Sequence, residues 1–478
     1  MSGAQDRGAL AIVLHTHMPY VEGFGTWPFG EEWLWEAIAS CYLPVLELLD
    51  GGAPLTLSVT PVLLDQLEAP HIQERFAAFV TEVRRTTHQL DAKGLRDTGM
   101  AQLASEVERC WSEDYAGAPA RLAAIPGGLA AGLARHASWT SSATHAILPL
   151  LATDASLRLQ VQSGIDSHRR RTGGEWRGGF WLPECAYAPW LLRALEDAGV
   201  AAVCVELTGE LGLCSPDHLQ PLLSDAGVVL VPLDRATIDL VWGARGYPAA
   251  GAYRDYHHLT VHHHNPWNNA GDPYDRQAAL VLAREHAQDF VARTIARLAQ
   301  ARAARGDAPL AGGGLVVCAI DTELLGHWWY EGTAWLAAVV QECARQGLEL
   351  LELDDALARH MPVPGAPGQT PCSWGQDGDL STWSGPPVAE MAFATRAAEL
   401  EVIRAGSAAG ACAVRELLAL QSSDWAFMLS RGIASPYARE RFDGHRAGLS
   451  RALAGGTGAG EALRNLAVDA DPAILLAP

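Results

Sequence analysis

Short apolar runs along the chain alternate with longer segments in which apolar residues recur at helical spacing. The strand candidates are residues 10–14, 55–59, 178–182, 202–205, 228–231 and 315–320. Between the last two, Ala283, Ala287 and Val291 fall on one face of a predicted helix over 277–300. Strands that are apolar throughout and alternate with helices are typical of a parallel sheet covered on both faces. The pattern predicts an α/β protein, with a barrel of β/α units as the leading architecture and an open doubly wound sheet as the alternative.

Besides a proline-rich segment at 361–371 that predicts a linker, three segments depart from this alternation and suggest the domain organisation. Residues 68–137 are helical in pattern and predict an insertion into a catalytic unit formed by residues 1–67 and 138–385. Residues 243–274 have little periodicity and predict a long irregular loop, a kind of segment that is usually functional or disordered. The rest of the chain, 386–478, is rich in alanine and leucine and predicts a C-terminal helical domain.

Composition and charge exclude several classes of protein. The 478 residues carry 35 basic and 55 acidic side chains, a formal net charge of −20 that repels phosphate backbones and argues against nucleic acid as a partner. No apolar stretch approaches the roughly 20 residues of a membrane-spanning helix, so we expect no membrane insertion. The nine cysteines form no CxxC pair, and the apolar run near the N-terminus is short and lacks a basic leader. We therefore expect a cytoplasmic protein.

Ionisable groups follow three of the predicted strands directly. His15 and His17 follow the first, Glu184 follows the strand at 178–182, and Asp321 follows the strand at 315–320. Because ligands of parallel α/β folds bind at the carboxyl ends of the strands, we expect these groups to meet. Two carboxyl groups are what cleavage of a glycosidic bond requires, one to attack the anomeric carbon and one to protonate the leaving oxygen. Glu323 is a supporting group at most.

The histidines allow a different interpretation. The His-x-His spacing of His15 and His17 is also typical of zinc or manganese sites, and with Glu184 and Asp321 it would suit a metal-dependent hydrolase. The triplet at 262–264 is a poor chelator, since consecutive side chains on an extended chain point to opposite faces, and we interpret it as loop polarity. The sixteen tryptophans are either platforms for sugar rings or core residues.

Seven segments carry a family resemblance and run in family order along nearly the whole chain. They are LHTHMPYV at 14–21, EEWLWEAI at 31–38, SSATHAILPLL at 141–151, GFWLPECAY at 179–187, AIDTELLGHWWYEG at 319–332, SWG at 373–375 and SDWAF at 423–427. With these motifs the sequence resembles glycoside hydrolase family 57, and within it the α-1,4-glucan branching enzymes. The resemblance implies an incomplete (β/α)7 barrel with a helical insertion and a C-terminal α-helical domain.

The resemblance also implies roles for individual residues. Glu184 would be the nucleophile and Asp321 the general acid/base of a retaining reaction that needs no metal and no other cofactor. Tyr247 would be the tip of a mobile loop beside the site. The remaining substrate contacts would be His15, His17, Trp27, His145, Trp181, Trp328, Trp374, Trp383, Asp424 and Trp425.

The implied substrate is an α-glucan. The acceptor of the transferred chain decides which product forms. A sugar 6-hydroxyl as acceptor gives an α-1,6 branch, whereas water gives hydrolysis. An α-amylase or 4-α-glucanotransferase of the same family is therefore the alternative to a branching enzyme. A glucan-binding protein without catalysis and the metal-dependent hydrolase are the alternatives from other classes.

Overall fold

The centre of the molecule is a sheet of mostly parallel strands. The computed structural model describes residues 7–25, 29–306, 309–365, 370–455 and 463–476. The strands in these ranges are β1 (Ala9–Thr16), β2 (Thr56–Val59), β3 (Ala137–Ser141), β4 (Gly179–Trp181), β5 (Ala202–Val205), β6 (Leu222–Leu223), β7 (Val229–Pro232), β8 (Leu315–Asp321), β9 (Glu349–Leu350) and β10 (Val363–Pro364).

Seven of these strands form the barrel wall. They are parallel and lie in the order β7-β5-β4-β3-β2-β1-β8, while β6 pairs antiparallel with β7, β10 continues beyond β6, and β9 lies beside β1. The two ends of this wall meet at one point, where the backbone N–H of Asp234, just after β7, donates to the carbonyl of Val317 in β8 over 3.0 Å. The predicted α/β class and incomplete (β/α)7 barrel are confirmed.

Each of the six predicted strand segments overlaps one strand of the wall, and the seventh strand, β3, was not predicted. Its sequence, ASWTS, is not apolar, yet four of its five residues are buried. Burial is tolerated because the hydroxyls are satisfied: Thr140 donates to the carbonyl of Gly164 and Ser141 to that of Trp181. Hydrogen bonding between distant segments therefore replaces the apolar pattern here.

Helices cover the sheet and make up the C-terminal region. They are α1 (Glu31–Ala37), α2 (Leu43–Asp50), α3 (Pro61–Leu67), α4 (Ile72–Ala78), α5 (Arg85–Asp97), α6 (Ala101–Cys110), α7 (Ala118–Ala123), α8 (Gly128–Ala134), α9 (Asp154–Thr172), α10 (Leu191–Asp197), α11 (Thr208–Leu211), α12 (Arg235–Trp242), α13 (Arg276–Arg305), α14 (Gly332–Gln346), α15 (Leu353–Arg359), α16 (Ser381–Ser384), α17 (Ala389–Ala405), α18 (Gly410–Leu420), α19 (Ser423–Ser430) and α20 (Tyr437–Leu453).

Helices α1 and α2 are joined by a π-helical segment, Ile38–Tyr42, and a second one, Phe79–Arg84, joins α4 to α5. Such wide turns often occur at functional sites. Helices α4 to α8 follow β2 and precede β3 in the chain, within the segment predicted as an insertion. The irregular segment after α12 contacts this group, because His262 hydrogen-bonds Asp91 of α5 over 2.7 Å and the ring of His264 lies 3.7 Å from that of His88. The histidine triplet thus attaches the loop to the helices.

The C-terminal helices have an apolar core of their own. Leu417 and Leu418 of α18, Trp425 of α19 and Phe442 of α20 belong to it. No helix in the described ranges combines the length and the apolar character that crossing a bilayer requires. All nine cysteines lie in these ranges, and none forms a disulfide.

Candidate active site

The carboxyl ends of β1 and β8 bring the first two candidate residues together. The two strands are parallel, and their register places His15 directly beside Asp321. His15 is buried, and its ring stacks on that of Trp181 at the end of β4 with 4.6 Å between the centroids. The ends of three wall strands therefore converge on one place, as the sequence predicts.

Glu184 enters this place from a tight turn after β4. It lies in a 3₁₀ turn, Pro183–Cys185, with a left-handed backbone at φ 60° and ψ 21°. This conformation is uncommon for a residue with a side chain and persists only where the surroundings enforce it. Here the indole N–H of Trp374 donates to the carboxylate of Glu184 over 2.9 Å. The backbone amide of Trp374 donates to the backbone carbonyl of Glu184 over 3.0 Å. Trp374 thereby fixes both the backbone and the carboxylate of Glu184.

The two carboxyl groups titrate differently. Burial raises the pKa of Glu184 to about 7, although the hydrogen bond from Trp374 and the nearby charge of His17 act to lower it. Burial, together with the negative charges of Glu184 and Glu323, raises the pKa of Asp321 well above its usual range. Like charges close together cannot both ionise near neutral pH. The arrangement favours a proton on Asp321 and a carboxylate on Glu184.

Three histidines line the space beside Glu184. The ring of His145 lies 3.9 Å from that of His17 and 5.1 Å from that of His15, and the planes are nearly parallel. The Nε2 atoms of His15 and His145 share a hydrogen bond of 3.0 Å. Burial and the charge of His17 lower the pKa of both residues well below the usual value, so both are neutral. One imidazole must then donate to the other, so the two rings have opposite tautomers.

His17 carries the positive charge of this cluster. Burial opposes that charge, but the carboxylate of Asp424, which accepts a hydrogen bond from Nε2 over 3.0 Å, raises the pKa of His17. Its Nδ1 hydrogen-bonds Thr60 over 3.1 Å. An imidazolium held in this way stabilises the ionised form of the neighbouring Glu184.

The start of α19 supplies two of these contacts. Asp424 binds His17, and the hydroxyl of Ser423 hydrogen-bonds Nδ1 of His145 over 2.8 Å and also interacts with Glu184. Our sequence reasoning missed Ser423. It stands directly before Asp424 within SDWAF, so the same motif contained it, but a serine in isolation has no chemical signature.

Glu323 contributes to the site through hydrogen bonds to its neighbours. Its carboxylate accepts hydrogen bonds from the hydroxyl of Tyr42 over 2.7 Å and from the amide of His17 over 3.1 Å. Burial raises the pKa of Glu323 to about 7 against these two donors. The contact of Tyr42, in the π-helical segment after α1, was not predicted, and a lone tyrosine in an apolar helix gives no signal for it.

The predicted tryptophans occupy different positions. Trp181 is fully buried and packs edge-on against Trp374, so it supports the site rather than facing it. Trp374 is half-buried beside Glu184, and Trp328 is 39% exposed in the segment that follows Glu323. Trp383 and Trp425 are buried at the edge of a pocket between the loop after β3 and the C-terminal helices.

One predicted contact, Tyr247, is not among the residues that meet at Glu184. Tyr247 is largely buried in a short turn after α12, where its hydroxyl donates to Asp289 and its ring stacks on His286, both on α13. The described position is thus a packed one, and not the tip of a loop over the site. Trp27 lies outside the described residues.

One group of side chains could hold a metal ion. Ligand atoms of His17, His145 and Asp424 lie within 4.8 Å of one another. These atoms already have protein partners, since His17 binds Asp424 and both ring nitrogens of His145 are hydrogen-bonded. The site needs no ion to satisfy them, and a reaction without metal stays a prediction.

Comparison with known families and proteins agrees with this geometry. The family model of glycosyl hydrolase family 57 matches residues 139–364, and that of the C-terminal domain of 1,4-alpha-glucan branching enzymes matches residues 391–467. A 1,4-alpha-glucan branching enzyme of Thermococcus kodakarensis is 29% identical over 91% of this chain and 72% of its own length.

Two further relatives extend the likeness over almost the whole chain. A protein of Mycobacterium tuberculosis named probable 1,4-alpha-glucan branching enzyme is 31% identical, over 95% of this chain and 93% of its own. The crystal structure of a branching enzyme of this family from Pyrococcus horikoshii superposes with a TM-score of 0.87 at 28% identity, covering 98% of this chain and 97% of that one. The chain belongs to glycosyl hydrolase family 57.

Proposed function

We propose that this protein is a 1,4-α-glucan branching enzyme that works by double displacement. The observation that carries the proposal is the pair of carboxyl groups, Glu184 and Asp321, at the ends of two wall strands. Trp374 donates a hydrogen bond to Glu184, burial and acidic neighbours raise the pKa of Asp321, and α19 of the C-terminal region completes the site. The match of that region to the branching-enzyme C-terminal model and the names of the relatives support branching over other reactions of the family.

In the first step Glu184 attacks the anomeric carbon of an α-1,4-linked glucosyl unit. The bond to the departing oxygen breaks, and Asp321 gives that oxygen its proton. The site suits these roles because Trp374 and the imidazolium of His17 hold Glu184 as a carboxylate, while burial keeps Asp321 protonated. The product of this step is a glycosyl-enzyme of inverted configuration.

In the second step a 6-hydroxyl of an acceptor chain attacks the same carbon. Its proton passes to Asp321, now a carboxylate, and the bond to Glu184 breaks. Two inversions leave the configuration retained, and the new linkage is α-1,6. Neither step requires a metal or another cofactor.

The wider proposal assigns roles to the regions of the chain. Residues 1–67 and 138–385 form the catalytic barrel, 68–137 the helical insertion, and 386–478 the domain that closes the donor site with Asp424 and Trp425. His15, His17, His145, Trp374 and Trp328 bind the sugar rings. The substrate is a cytoplasmic glycogen-like α-glucan, and the reaction belongs to glycogen biosynthesis.

The test is the linkage of the product. After incubation with amylose, we expect chains that a debranching enzyme releases, with little free reducing sugar before debranching. Reducing sugar that accumulates without branch points would contradict branching and favour the α-amylase alternative. Chains that change length without either product would favour a 4-α-glucanotransferase.

The matched control is Glu184→Gln, which preserves the size and shape of the side chain. Because transfer and hydrolysis pass through the same intermediate, both should fall to background together. Hydrolysis that persists in this variant would exclude Glu184 as the nucleophile.

A further inference from the structure

A pocket separate from the donor contacts opens beside the catalytic centre. It encloses about 280 Å³ and lies between α1, the helices that follow β2, the loop after α12 and the segment 326–330. The size approaches the lower end of the range for small-molecule sites, about 300 Å³, so it suits a short part of a chain. The function proposed above uses one residue of its lining, Trp328, and gives the pocket itself no role.

The pocket adjoins the acid/base side of the catalytic centre. One wall, Gly326 to Trp328, follows Asp321 and Glu323 in the chain, and the amide of Trp328 donates to the carbonyl of Glu323 over 3.2 Å. A second wall contains Ser40, two residues before Tyr42, whose hydroxyl binds the Glu323 carboxylate. Nucleophile-side contacts, by contrast, come from Trp374 and α19.

An exposed line of aromatic rings leads into the pocket. Trp242, Trp328 and Tyr256 are 36%, 39% and 41% exposed, high values for side chains of this size. The ring of Trp328 lies 6.0 Å from that of Trp242, and a hydrogen bond joins its side chain to that of Tyr256. Exposed aromatic rings close together in this way are suited to contact the apolar faces of sugars.

The acidic and basic side chains in the pocket walls have protein partners. Arg84 is paired with Glu32 and Glu36, the guanidinium of Arg254 binds Glu106 over 2.6 Å, and Asp114 accepts a hydrogen bond from Tyr330 over 2.8 Å. These charged groups are therefore already bound to protein atoms. The remaining polar atoms offer donors and acceptors that suit a neutral ligand rich in hydroxyl groups.

We propose that this pocket is the acceptor subsite, which holds a short segment of a second α-1,4-glucan chain on Trp328 and Tyr256. The inference rests on the proposed branching function and extends it. Asp321 must receive the proton of the attacking 6-hydroxyl, so the acceptor has to approach from the acid/base side, where the pocket lies. A chain bound there also displaces water from the glycosyl-enzyme, which favours transfer over hydrolysis.

The experiment compares Tyr256→Ala with the unaltered protein on amylose. We expect the ratio of branch points formed to bonds hydrolysed to fall at least fivefold, because water replaces the poorly held acceptor. Tyr256→Phe keeps the ring and should keep the ratio within twofold. Trp190→Ala removes an aromatic ring that is 60% exposed elsewhere on the barrel and should leave the ratio unchanged. An unaltered ratio in Tyr256→Ala would overturn the proposal.

Calorimetry with maltoheptaose separates this proposal from the proposed function. In a Glu184→Gln background, which prevents turnover, adding Tyr256→Ala should weaken maltoheptaose binding roughly fivefold. If the protein forms branches while Tyr256→Ala changes neither the ratio of branching to hydrolysis nor the binding of maltoheptaose, the acceptor subsite is excluded. The proposed function is left standing by that result. If it hydrolyses amylose without branching, the function fails and the acceptor role fails with it, even where calorimetry detects binding in the pocket.

Discussion

Glu184 and Asp321 differ in protonation because their surroundings differ, although both are partly buried carboxyl groups. Only Glu184 has a strong donor, the indole N–H of Trp374, and a nearby imidazolium, His17. Asp321 instead faces two negative charges, those of Glu184 and Glu323. The same burial thus gives one base and one acid, which is the division of labour that a retaining reaction needs.

The hydrogen bond from Trp374 can be removed without removing its ring. Trp374→Phe eliminates the donor that lowers the pKa of Glu184, so that pKa should rise above its present value of about 7. Since Glu184 must be ionised to attack, the acidic limb of the kcat/KM profile should move to higher pH by about 0.5–1 unit. The pH dependence of amylose conversion measures this shift.

Trp383→Phe is the matched control for that shift. The indole nitrogen of Trp383 is buried without a hydrogen-bond partner, so its loss removes no interaction with a carboxylate. The acidic limb should stay in place in this variant. A limb that stays in place in Trp374→Phe as well would show that Trp374 does not set the ionisation of Glu184.

A functional residue was predictable from the sequence where a reactive side chain directly follows a predicted strand. Glu184 and Asp321 each close an apolar strand, and parallel strands bring such ends together. Ser423 and Tyr42 contact the site from elements far away in sequence, and neither residue type signals a role on its own. The packing of Tyr247 on α13 depends on the path of the whole loop, which no local pattern specifies.

At the scale of elements, apolar periodicity located six of the seven wall strands, and it failed at β3 because hydroxyl hydrogen bonds replace apolar contacts there.

Close contacts between helices are likewise not predicted by apolar periodicity. Helices α18 and α20 pack so tightly that a Cβ atom on Gly448 would lie 2.2 Å from the Oε1 atom of Glu416. That carboxylate is buried and bound to His445 over 2.8 Å, so it cannot move aside at low cost.

Gly448→Ala should therefore destabilise the protein. Alanine normally favours a helix over glycine by about 1 kcal/mol, but the clash with a fixed carboxylate should cost roughly 1–3 kcal/mol more than that gain. Gly444→Ala in the same helix is the control, because the nearest atom to its new Cβ is 3.8 Å away, on Phe24. Thermal unfolding should give a lower Tm for the first variant and an equal or higher one for the second. Equal Tm values would mean that α18 and α20 can separate freely.

At the scale of the molecule, the catalytic centre is shared between the barrel and the C-terminal helices. The loop after β3 carries His145, and its contacts run to the other side: the amide of Ser423 donates to the carbonyl of His145, and the hydroxyl of Thr144 donates to that of Leu418. The resemblance in the sequence indicated that α19 contributes to the site. It could not indicate how the two regions are held together, because the contacts are polar and scattered.

Gln160 of α9 holds the junction between the loop after β3 and the C-terminal helices. Its buried side chain accepts a hydrogen bond from the amide of Thr144 and donates to the hydroxyl of Thr144. It also donates to the side chain of Gln421 over 2.9 Å. Gln160→Leu removes the partner of the Thr144 amide and of the Gln421 side-chain oxygen, at roughly 1–3 kcal/mol each. Loosening the junction should displace His145 from Ser423 and lower branching activity about tenfold, and hydrogen exchange should accelerate in residues 141–153 and in α19 together. Gln162→Leu is the control, since Gln162 bonds only Asp166 on the same helix and should change neither measurement. Exchange that accelerates within α9 alone, with activity intact, would mean that the two regions maintain the site independently of this junction.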